Sequence, residues 1–282
     1  MSATPTRRIP AVVTLLALLA LTGCTVGPGH PAHARRITVP PPTVSAPSPT
    51  PSASPSATAK PAFKSLAWYV AQVPAFPEAP IPQPVPLPTT GTAAFWHHLP
   101  TEQKVAFITI DDGGLARPPG AIDFIWQARI PVTMFLNSPA AAEHTDYFRQ
   151  IQVAGGMVEN HTINHTSLAG RSYGHQKQEI CGAADKLEAL FGTRATLFRP
   201  PFGEYDSTTL QAAHDCGAKA VLHWSETVHE GKVRYQTPEK VVRPGDILLM
   251  HFRPALMDDL LAALKAIHRA GLTPALLTNY IQ

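Results

Sequence analysis

Apolar residues follow two different spacings along residues 101–282. Short continuous apolar runs, typical of strands buried on both faces, alternate with stretches whose apolar residues recur at helical spacing. The predicted strands are 106–111, 132–136, 157–159, 196–198, 218–224, 247–251 and 274–277, and the predicted helices are 121–128, 141–154, 176–191, 207–216 and 257–270. This alternation is the pattern of βα units around a parallel sheet. About seven such repeats predict an α/β fold in the form of a distorted or incomplete (β/α) barrel.

Residues 1–100 have a different character. An apolar run at 11–21 follows Arg7 and Arg8, is short for a bilayer span, and predicts an export signal over residues 1–24. Residues 25–62 are rich in Pro, Ser, Thr and Ala, which bury too little apolar surface to fold, so this segment predicts a disordered tether. Residues 63–100 are a Pro-rich lead-in to the domain at 101–282, with a short helical pattern at 63–73.

Composition narrows the classes of function. The net charge is only +3, and no basic stretch carries interleaved aromatic residues, which argues against a nucleic-acid partner. The three cysteines, Cys24, Cys181 and Cys216, are too few for a four-cysteine zinc site. Cys181 and Cys216 lie on predicted helices that flank the strand at 196–198. In an exported domain they predict a disulfide, and two buried free thiols are the alternative.

Two adjacent carboxylates, Asp111 and Asp112, end the first predicted strand, and Gly113 and Gly114 follow them. Acids at the end of a buried strand cost free energy unless a metal or a hydrogen-bond network compensates their charge. The alternative is an ordinary turn, since Asp-Gly is a common turn pair.

His161 and His165 follow the end of another predicted strand. On a helical turn, two imidazoles four residues apart share one face at the separation of metal ligands. A chance pair is the alternative, because the chain has 13 histidines. Two histidines and one carboxylate leave coordination positions open, which is typical of a catalytic metal site that activates water.

Two further polar residues follow predicted strands. Arg199 precedes Pro200 and Pro201, and a permanently charged guanidinium there could hold a carboxylate in place; a Pro-rich surface turn is the alternative. His251 ends the strand at 247–251, where a histidine acts either as an acid or as a structural residue. In (β/α) barrels the chemistry lies at the carboxyl ends of the strands, where all these groups fall.

Four motifs occur in the order of a known family. They are Thr109-Ile110-Asp111-Asp112-Gly113, His161-Thr162-Ile163-Asn164-His165, Arg199-Pro200-Pro201-Phe202-Gly203 and Leu249-Met250-His251. Together they resemble the polysaccharide deacetylase (NodB-homology) family, carbohydrate esterase family 4, over roughly residues 104–278. Separately, Leu21-Thr22-Gly23-Cys24 resembles the lipobox of bacterial lipoproteins, in which the cysteine receives the lipid. An ordinary signal peptide is the alternative there.

The resemblance implies a role for each motif residue. Asp112, His161 and His165 would hold a divalent metal, with zinc expected first and cobalt, nickel or manganese as alternatives. Asp111 would be the catalytic base, Arg199 would orient and ionise it, and His251 would be the acid. The substrate would contact Pro200, Pro201, Phe202 and Leu249, with the backbone N–H of Phe202 at the oxyanion and Leu249 at the acetyl methyl.

The family's fourth motif, an Asp-rich stretch that ends in Trp, fits this chain poorly. Glu226 and His229 stand where aspartates are expected, and Glu230 stands where the Trp is expected. Either Glu226 reaches His251 and keeps it protonated, or His229 takes that place and depresses its pKa. A lesser departure is Gly114, where a Pro is usual.

The leading hypothesis is a lipid-anchored, metal-dependent N-deacetylase of a cell-wall or extracellular glycan, with peptidoglycan as the first candidate. The alternatives are an esterase on O-acetylated polysaccharide such as xylan, and a catalytically silent glycan-binding domain. The expected partners are a glycan and, through Cys24, a membrane, with the chain monomeric. The expected location is the outer face of the cytoplasmic membrane, or the medium if the lipobox is not used.

Overall fold

The computed structural model describes residues 60–89 and 91–281. The predicted export signal, Cys24 and the tether up to residue 59 lie outside the described residues. The strands are β1 Ala94–Trp96, β2 Val105–Asp112, β3 Val132–Leu136, β4 Met157–Asn160, β5 Leu197–Phe198, β6 Ala220–Leu222, β7 Glu226–His229, β8 Lys232–Tyr235, β9 Ile247–His251 and β10 Thr273–Ala275. The helices are α1 Leu66–Gln72, α2 Gly120–Ala128, α3 Ser138–Glu143, α4 Thr145–Val153, α5 Tyr173–Phe191, α6 Ser207–Asp215 and α7 Leu256–Arg269. Within the described ranges, no helix combines the length and apolar character needed to cross a bilayer.

The ten strands form one curled sheet, in the order β1-β6-β5-β4-β3-β2-β9-β7-β8, with β10 beside the start of β2. All pairings are parallel except the β7–β8 hairpin. In the described part of the chain, β1 and β8 pair with only one strand each, so the barrel stays open between them. The predicted distorted or incomplete (β/α) barrel is therefore confirmed.

The sheet register brings the carboxyl ends of the strands to one edge. β2 is central and buried along its length as far as Asp111, which explains its unbroken apolar sequence. Asp111 of β2 lies opposite His251 of β9 and Phe135 of β3. Asn160, at the end of β4, lies opposite Phe198 of β5. The residues that follow these two, His161 and Arg199, therefore reach the same edge as Asp111 and His251.

Two predicted elements differ in the structure. The helix expected at 141–154 is two helices, α3 and α4, because His144 has φ −124° and ψ 31° and breaks the helical backbone. Asn137 starts α3 early, since its side chain accepts a hydrogen bond from the N–H of Ala140. The last strand ends at Ala275, and a 3₁₀ turn over Leu277–Tyr280 follows it.

The lead-in before residue 101 packs onto the sheet and its helices. Tyr69 of α1 donates to Asp258 Oδ1 at 2.8 Å, and Lys64 Nζ lies 2.7 Å from Asp258 Oδ2. Further along, Val85 pairs with Ile281 in an isolated parallel bridge. β1 then joins the sheet next to β6. These contacts hold the Pro-rich segment against the folded domain.

Cys181 of α5 and Cys216 at the end of α6 form a disulfide, with Cα atoms 4.8 Å apart and a sequence separation of 35. The closed loop contains β5 and Arg199. Because closing a loop of this length restricts the unfolded chain, we expect Cys181→Ser/Cys216→Ser to lose roughly 2–4 kcal/mol of unfolding free energy. Urea denaturation measures the loss. Thiol counting on the denatured, unreduced Cys24→Ala protein tests the bond itself: two reactive thiols would exclude it.

Candidate active site

Arg199 lies beneath the site, fully buried, and its guanidinium is bound on several sides. Nη1 donates to Asp111 Oδ1 at 2.6 Å and to Thr109 Oγ1 at 2.9 Å. Nη2 donates to the carbonyl oxygen of His223 at 3.0 Å, and Nε donates to that of Leu222 at 3.3 Å. Burial lowers the pKa of Arg199 and Asp111 opposes that shift; an arginine in a protein nevertheless stays charged. The ion pair therefore fixes one oxygen of Asp111 and leaves Oδ2 for chemistry.

His161 is oriented by the same segment. Its Nδ1 lies 2.7 Å from the carbonyl oxygen of Arg199, so this nitrogen donates and Nε2 is left with a free lone pair. Nε2 lies 3.5 Å from Asp112 Oδ1 and 3.7 Å from Asp111 Oδ2. A carbonyl that fixes the tautomer in this way is the usual support of a histidine that binds a metal.

The predicted helical turn at 161–165 is wrong, because these residues form an irregular loop after β4. Thr162 and His165 have φ values of 69° and 53°, in the left-handed region. Side chains hold this backbone: Asn160 Oδ1 accepts from the N–H of Thr162 at 2.9 Å, and Thr162 Oγ1 accepts from the N–H of His165 at 3.0 Å. The loop still brings His165 Nε2 to 3.1 Å from Asp112 Oδ1.

Asp112, His161 and His165 fit a divalent metal. Their donor atoms all lie within 4.8 Å of one another. Ligands at about 2.0–2.2 Å around a tetrahedral ion are roughly 3.3–3.6 Å apart. The two imidazole–carboxylate separations here, 3.5 and 3.1 Å, are close to that range. Asp112 Oδ1 is buried between the imidazoles, and no described residue donates a hydrogen bond of favourable geometry to it. Burial disfavours the carboxylate, but the two histidines outweigh it and lower the pKa of Asp112; the carboxylate in turn raises the pKa of His165.

A cavity of about 200 Å³ opens above these groups. His251, Leu249, Pro200 and Phe202 line it together with the metal-site residues, as the motifs predict. Pro201, expected beside them, is buried and does not line the cavity, because it is turned into the 3₁₀ segment Pro201–Gly203. Phe202 has φ 60° and is 64% exposed, so it presents its ring to solvent at the cavity mouth.

The segment after Trp224 does not serve His251 in either expected way. Glu226 is buried next to Asp246, and its burial and this acid raise its pKa to about 9, so it is protonated at neutral pH. His229 contacts Arg253, with Nδ1 3.3 Å from Nη1. Burial lowers the pKa of His251, the charges of Asp111 and Asp112 oppose that shift, and Arg253 adds to it. Of Arg253 and His229, it is thus Arg253 that lowers the pKa of His251.

Trp224 and Arg253 also line the cavity, but neither belongs to the four sequence motifs. Arg253 follows His251 by two residues, and residues i and i+2 of an extended segment face the same side. The i, i+2 spacing from His251 could therefore have predicted that Arg253 lies at the site. Trp224 carries no comparable signal, because it lies beyond the end of β6 in a segment without regular structure.

The buried Glu226 predicts a dependence of stability on pH. Its pKa is raised from the ordinary 4.5 to about 9, so the folded state keeps a proton that the unfolded state releases. Stability from this group is complete below pH 4.5 and is lost as the pH rises toward 9. We expect Glu226→Gln to flatten the fall in unfolding free energy between pH 5 and 9. Burial also raises the pKa of Glu159, to about 8. The unfolding free energy of the variant should therefore still fall with rising pH, but less steeply than that of the wild type. Parallel urea-denaturation profiles for wild type and variant would contradict this; Glu230→Gln, at an exposed position, is the control.

The sequence profile of the polysaccharide deacetylase family matches residues 98–221. An uncharacterised protein of Streptomyces coelicolor is 38% identical over 65% of this chain and 76% of its own length. A bifunctional xylanase/xylan deacetylase of Cellvibrio japonicus is 30% identical over 51% of this chain and 22% of its own. A peptidoglycan-N-acetylglucosamine deacetylase of Bacillus cereus is 27% identical over 55% of this chain and 58% of its own.

Solved structures share the fold. A mutant of a CE4 family pseudoenzyme with restored enzymatic activity superposes with a TM-score of 0.59 at 19% identity, over 68% of this chain and 72% of that one. A peptidoglycan N-acetylglucosamine deacetylase superposes with a TM-score of 0.57 at 21% identity, over 68% and 94%. With the profile match, the Streptomyces relative and the four motifs at one sheet edge, the chain belongs to the polysaccharide deacetylase (NodB-homology) family, carbohydrate esterase family 4.

Proposed function

We propose that this protein removes acetyl groups from an N-acetylated glycan, with peptidoglycan as the first candidate polymer and zinc as the metal. One observation carries the proposal: Asp112, His161 and His165 form a metal-sized triangle beside Asp111, whose partner Arg199 is fully buried. The set is complete and converges on one cavity with His251.

The residues divide the chemistry among them. A bound divalent ion would polarise the acetamide carbonyl and make water more acidic. Asp111 Oδ2, which Arg199 does not occupy, accepts a proton from the attacking water. The N–H of Phe202 donates to the oxyanion that develops on the carbonyl. His251 then gives a proton to the departing amine nitrogen, and Leu249 contacts the acetyl methyl.

Two other functions have specific support. The xylan deacetylase relative favours O-acetyl esterase activity on xylan, since the same groups could cleave an ester. The altered segment from Glu226 to Glu230, together with a pseudoenzyme among the structural neighbours, favours a silent glycan-binding domain. The presence of all three metal donors, of the base Asp111 and of Arg199 argues against the silent domain.

Acetate release separates the three functions. The purified Cys24→Ala chain is incubated with peptidoglycan, chitin oligomers or acetylated xylan, with and without a chelator. We expect chelator-sensitive release from an N-acetylated substrate. Release from xylan alone would establish the esterase, and retention of glycan without any release would establish the binding domain.

We propose further that a lipid on Cys24 holds the protein at the outer face of the cytoplasmic membrane. Stable anchoring takes more than one acyl chain, which bacterial lipoproteins carry. Cys24→Ala should therefore appear in the culture medium, measured by immunoblot of medium and membrane fractions. Thr25→Ala, one residue past the lipobox, is the control and should stay with the membrane. Membrane retention of Cys24→Ala would contradict the anchor.

A further inference from the structure

Arg253 lies in the wall of the active-site cavity and has no role in the chemistry above. It follows the end of β9 by two residues and lines the cavity with Trp224, His251 and the metal-site residues. Its side chain is half-buried, so the guanidinium is partly removed from water. A charged group in such a place costs free energy unless a partner compensates it.

The contacts of Arg253 within the protein leave that cost uncompensated. Nη1 lies 3.3 Å from His229 Nδ1, and Nε is buried without a hydrogen-bond partner in the part of the chain that the structure describes. Arg253 forms no salt bridge with any residue that the structure describes. Asp259 of α7 interacts with it only electrostatically: Oδ1 of Asp259 accepts from the N–H of Gly231 at 2.7 Å, and Oδ2 has no hydrogen-bond partner among the described residues.

Two other arginines show how a guanidinium pairs with carboxylates in this protein. Arg199 donates to the carboxylate of Asp111 and to three further acceptors. Arg194, at the surface, lies 2.8 Å from both Asp185 and Glu188. Arg253 is thus a guanidinium in the cavity wall that forms no salt bridge with a carboxylate of the described residues.

The formal charges of the cavity point the same way. Asp111 and Arg199 cancel each other. A divalent ion held by Asp112 and two neutral imidazoles would leave one positive charge, and Arg253 adds a second. Such a cavity attracts an anionic group on its substrate.

We propose that Arg253 binds a carboxylate of the glycan, so that the substrate class is an N-acetylated glycan with acidic sugars. The inference rests on the proposed function. Guanidinium groups bind carboxylates through two parallel hydrogen bonds, which gives orientation as well as affinity. The small cavity places the carboxylate on the sugar that bears the acetamide or on its neighbour. The carboxylate is either the lactyl ether of an N-acetylmuramic residue or that of a uronic acid.

The test compares acidic and neutral glycans. Full-length, zinc-loaded protein in detergent is assayed with chitotetraose, with peptidoglycan strands stripped of their peptides, and with hyaluronan oligosaccharides. We expect a higher kcat/KM for one of the two acidic glycans, which also identifies the source of the carboxylate. In Arg253→Gln, the acidic-to-neutral ratio of kcat/KM should fall roughly 10–100-fold, the usual effect of losing a hydrogen bond to a charged group. Because binding is lost, KM should rise rather than kcat fall.

Two variants and one binding measurement complete the design. Arg253→Lys should recover part of the ratio, and Arg194→Gln, at the surface, should match wild type. An unchanged ratio in Arg253→Gln, or equal kcat/KM for all three glycans in wild type, would overturn the inference. Calorimetric titration with the same glycans distinguishes failure of the proposed deacetylase function from failure of the proposed role of Arg253. Protein that binds acidic glycans through Arg253 but releases no acetate refutes the deacetylase alone, whereas deacetylation without preference refutes only the role of Arg253.

Discussion

Asp111→Asn should keep the metal and lose turnover by roughly 10²–10⁴-fold, the usual share of a general base. The variant keeps the size of the side chain and an oxygen that can accept from Arg199. It removes the carboxylate oxygen Oδ2 that would take the proton. Asp112→Asn should instead lose the metal, because an amide is a poorer ligand than a carboxylate for a divalent ion. The metal content of the purified variants and acetate release at saturating substrate measure the two effects.

Asp123→Asn is the matched control, since Asp123 lies in the first turn of α2, outside the residues that line the cavity. It should show wild-type metal content and turnover. Equal loss of metal in Asp111→Asn and Asp112→Asn would contradict the division of roles. Added zinc should restore some turnover to Asp112→Asn and none to Asp111→Asn.

Arg199→Met should lose roughly 3–5 kcal/mol of unfolding free energy, because it leaves the carboxylate of Asp111 buried without its counter-charge. Asp111 is 3% exposed and lies 2.6 Å from Arg199 Nη1. The carbonyl oxygens of Leu222 and His223 would lose donors as well. Turnover should also fall, since Asp111 would lose the hydrogen bond from Arg199 that orients its carboxylate. Urea denaturation and acetate release measure the two losses.

Arg194→Met is the matched control. Arg194 pairs with Asp185 and Glu188 at the surface, where ion pairs contribute about 0–1 kcal/mol. The double variant Arg199→Met/Asp111→Leu removes both buried charges, so it should regain part of the stability but none of the activity. Arg199→Met as stable as Arg194→Met would show that the buried pair does not stabilise the domain.

Two of the three residues of the metal triangle have a left-handed backbone conformation. Asp112 has φ 78° and His165 has φ 53°, yet neither is glycine. Backbone in this region is costly for such residues and is found where the surroundings hold it in place. The hydrogen bonds of Asn160 and Thr162 hold the loop in this conformation. The motif around His161 is therefore a folded unit, not only a pair of ligands.

The sequence by itself determined the elements whose signals are local. A continuous apolar run predicted β2, which is central in the sheet. Asp206 begins helix α6 and Gly192 ends helix α5, as their capping preferences predict. The acids and His251 end such strands, and His161 and Arg199 directly follow them. In a parallel sheet the strand ends share an edge, which is why the candidate site could be assembled from the sequence.

Only the tertiary structure decided the features that depend on distant partners. Strands β7 and β8 are short and partly exposed, and their sequences carry no continuous apolar run. Strand β1 is apolar but has only three residues, too few to predict a strand by themselves. The shape of the His161–His165 loop follows from side-chain hydrogen bonds rather than from helical periodicity. Glu226 meets Asp246, and His229 meets Arg253, because β7 pairs with β9. The spacing of residues in the sequence does not predict that β7 pairs with β9, because the register of two strands is set by packing across the whole sheet.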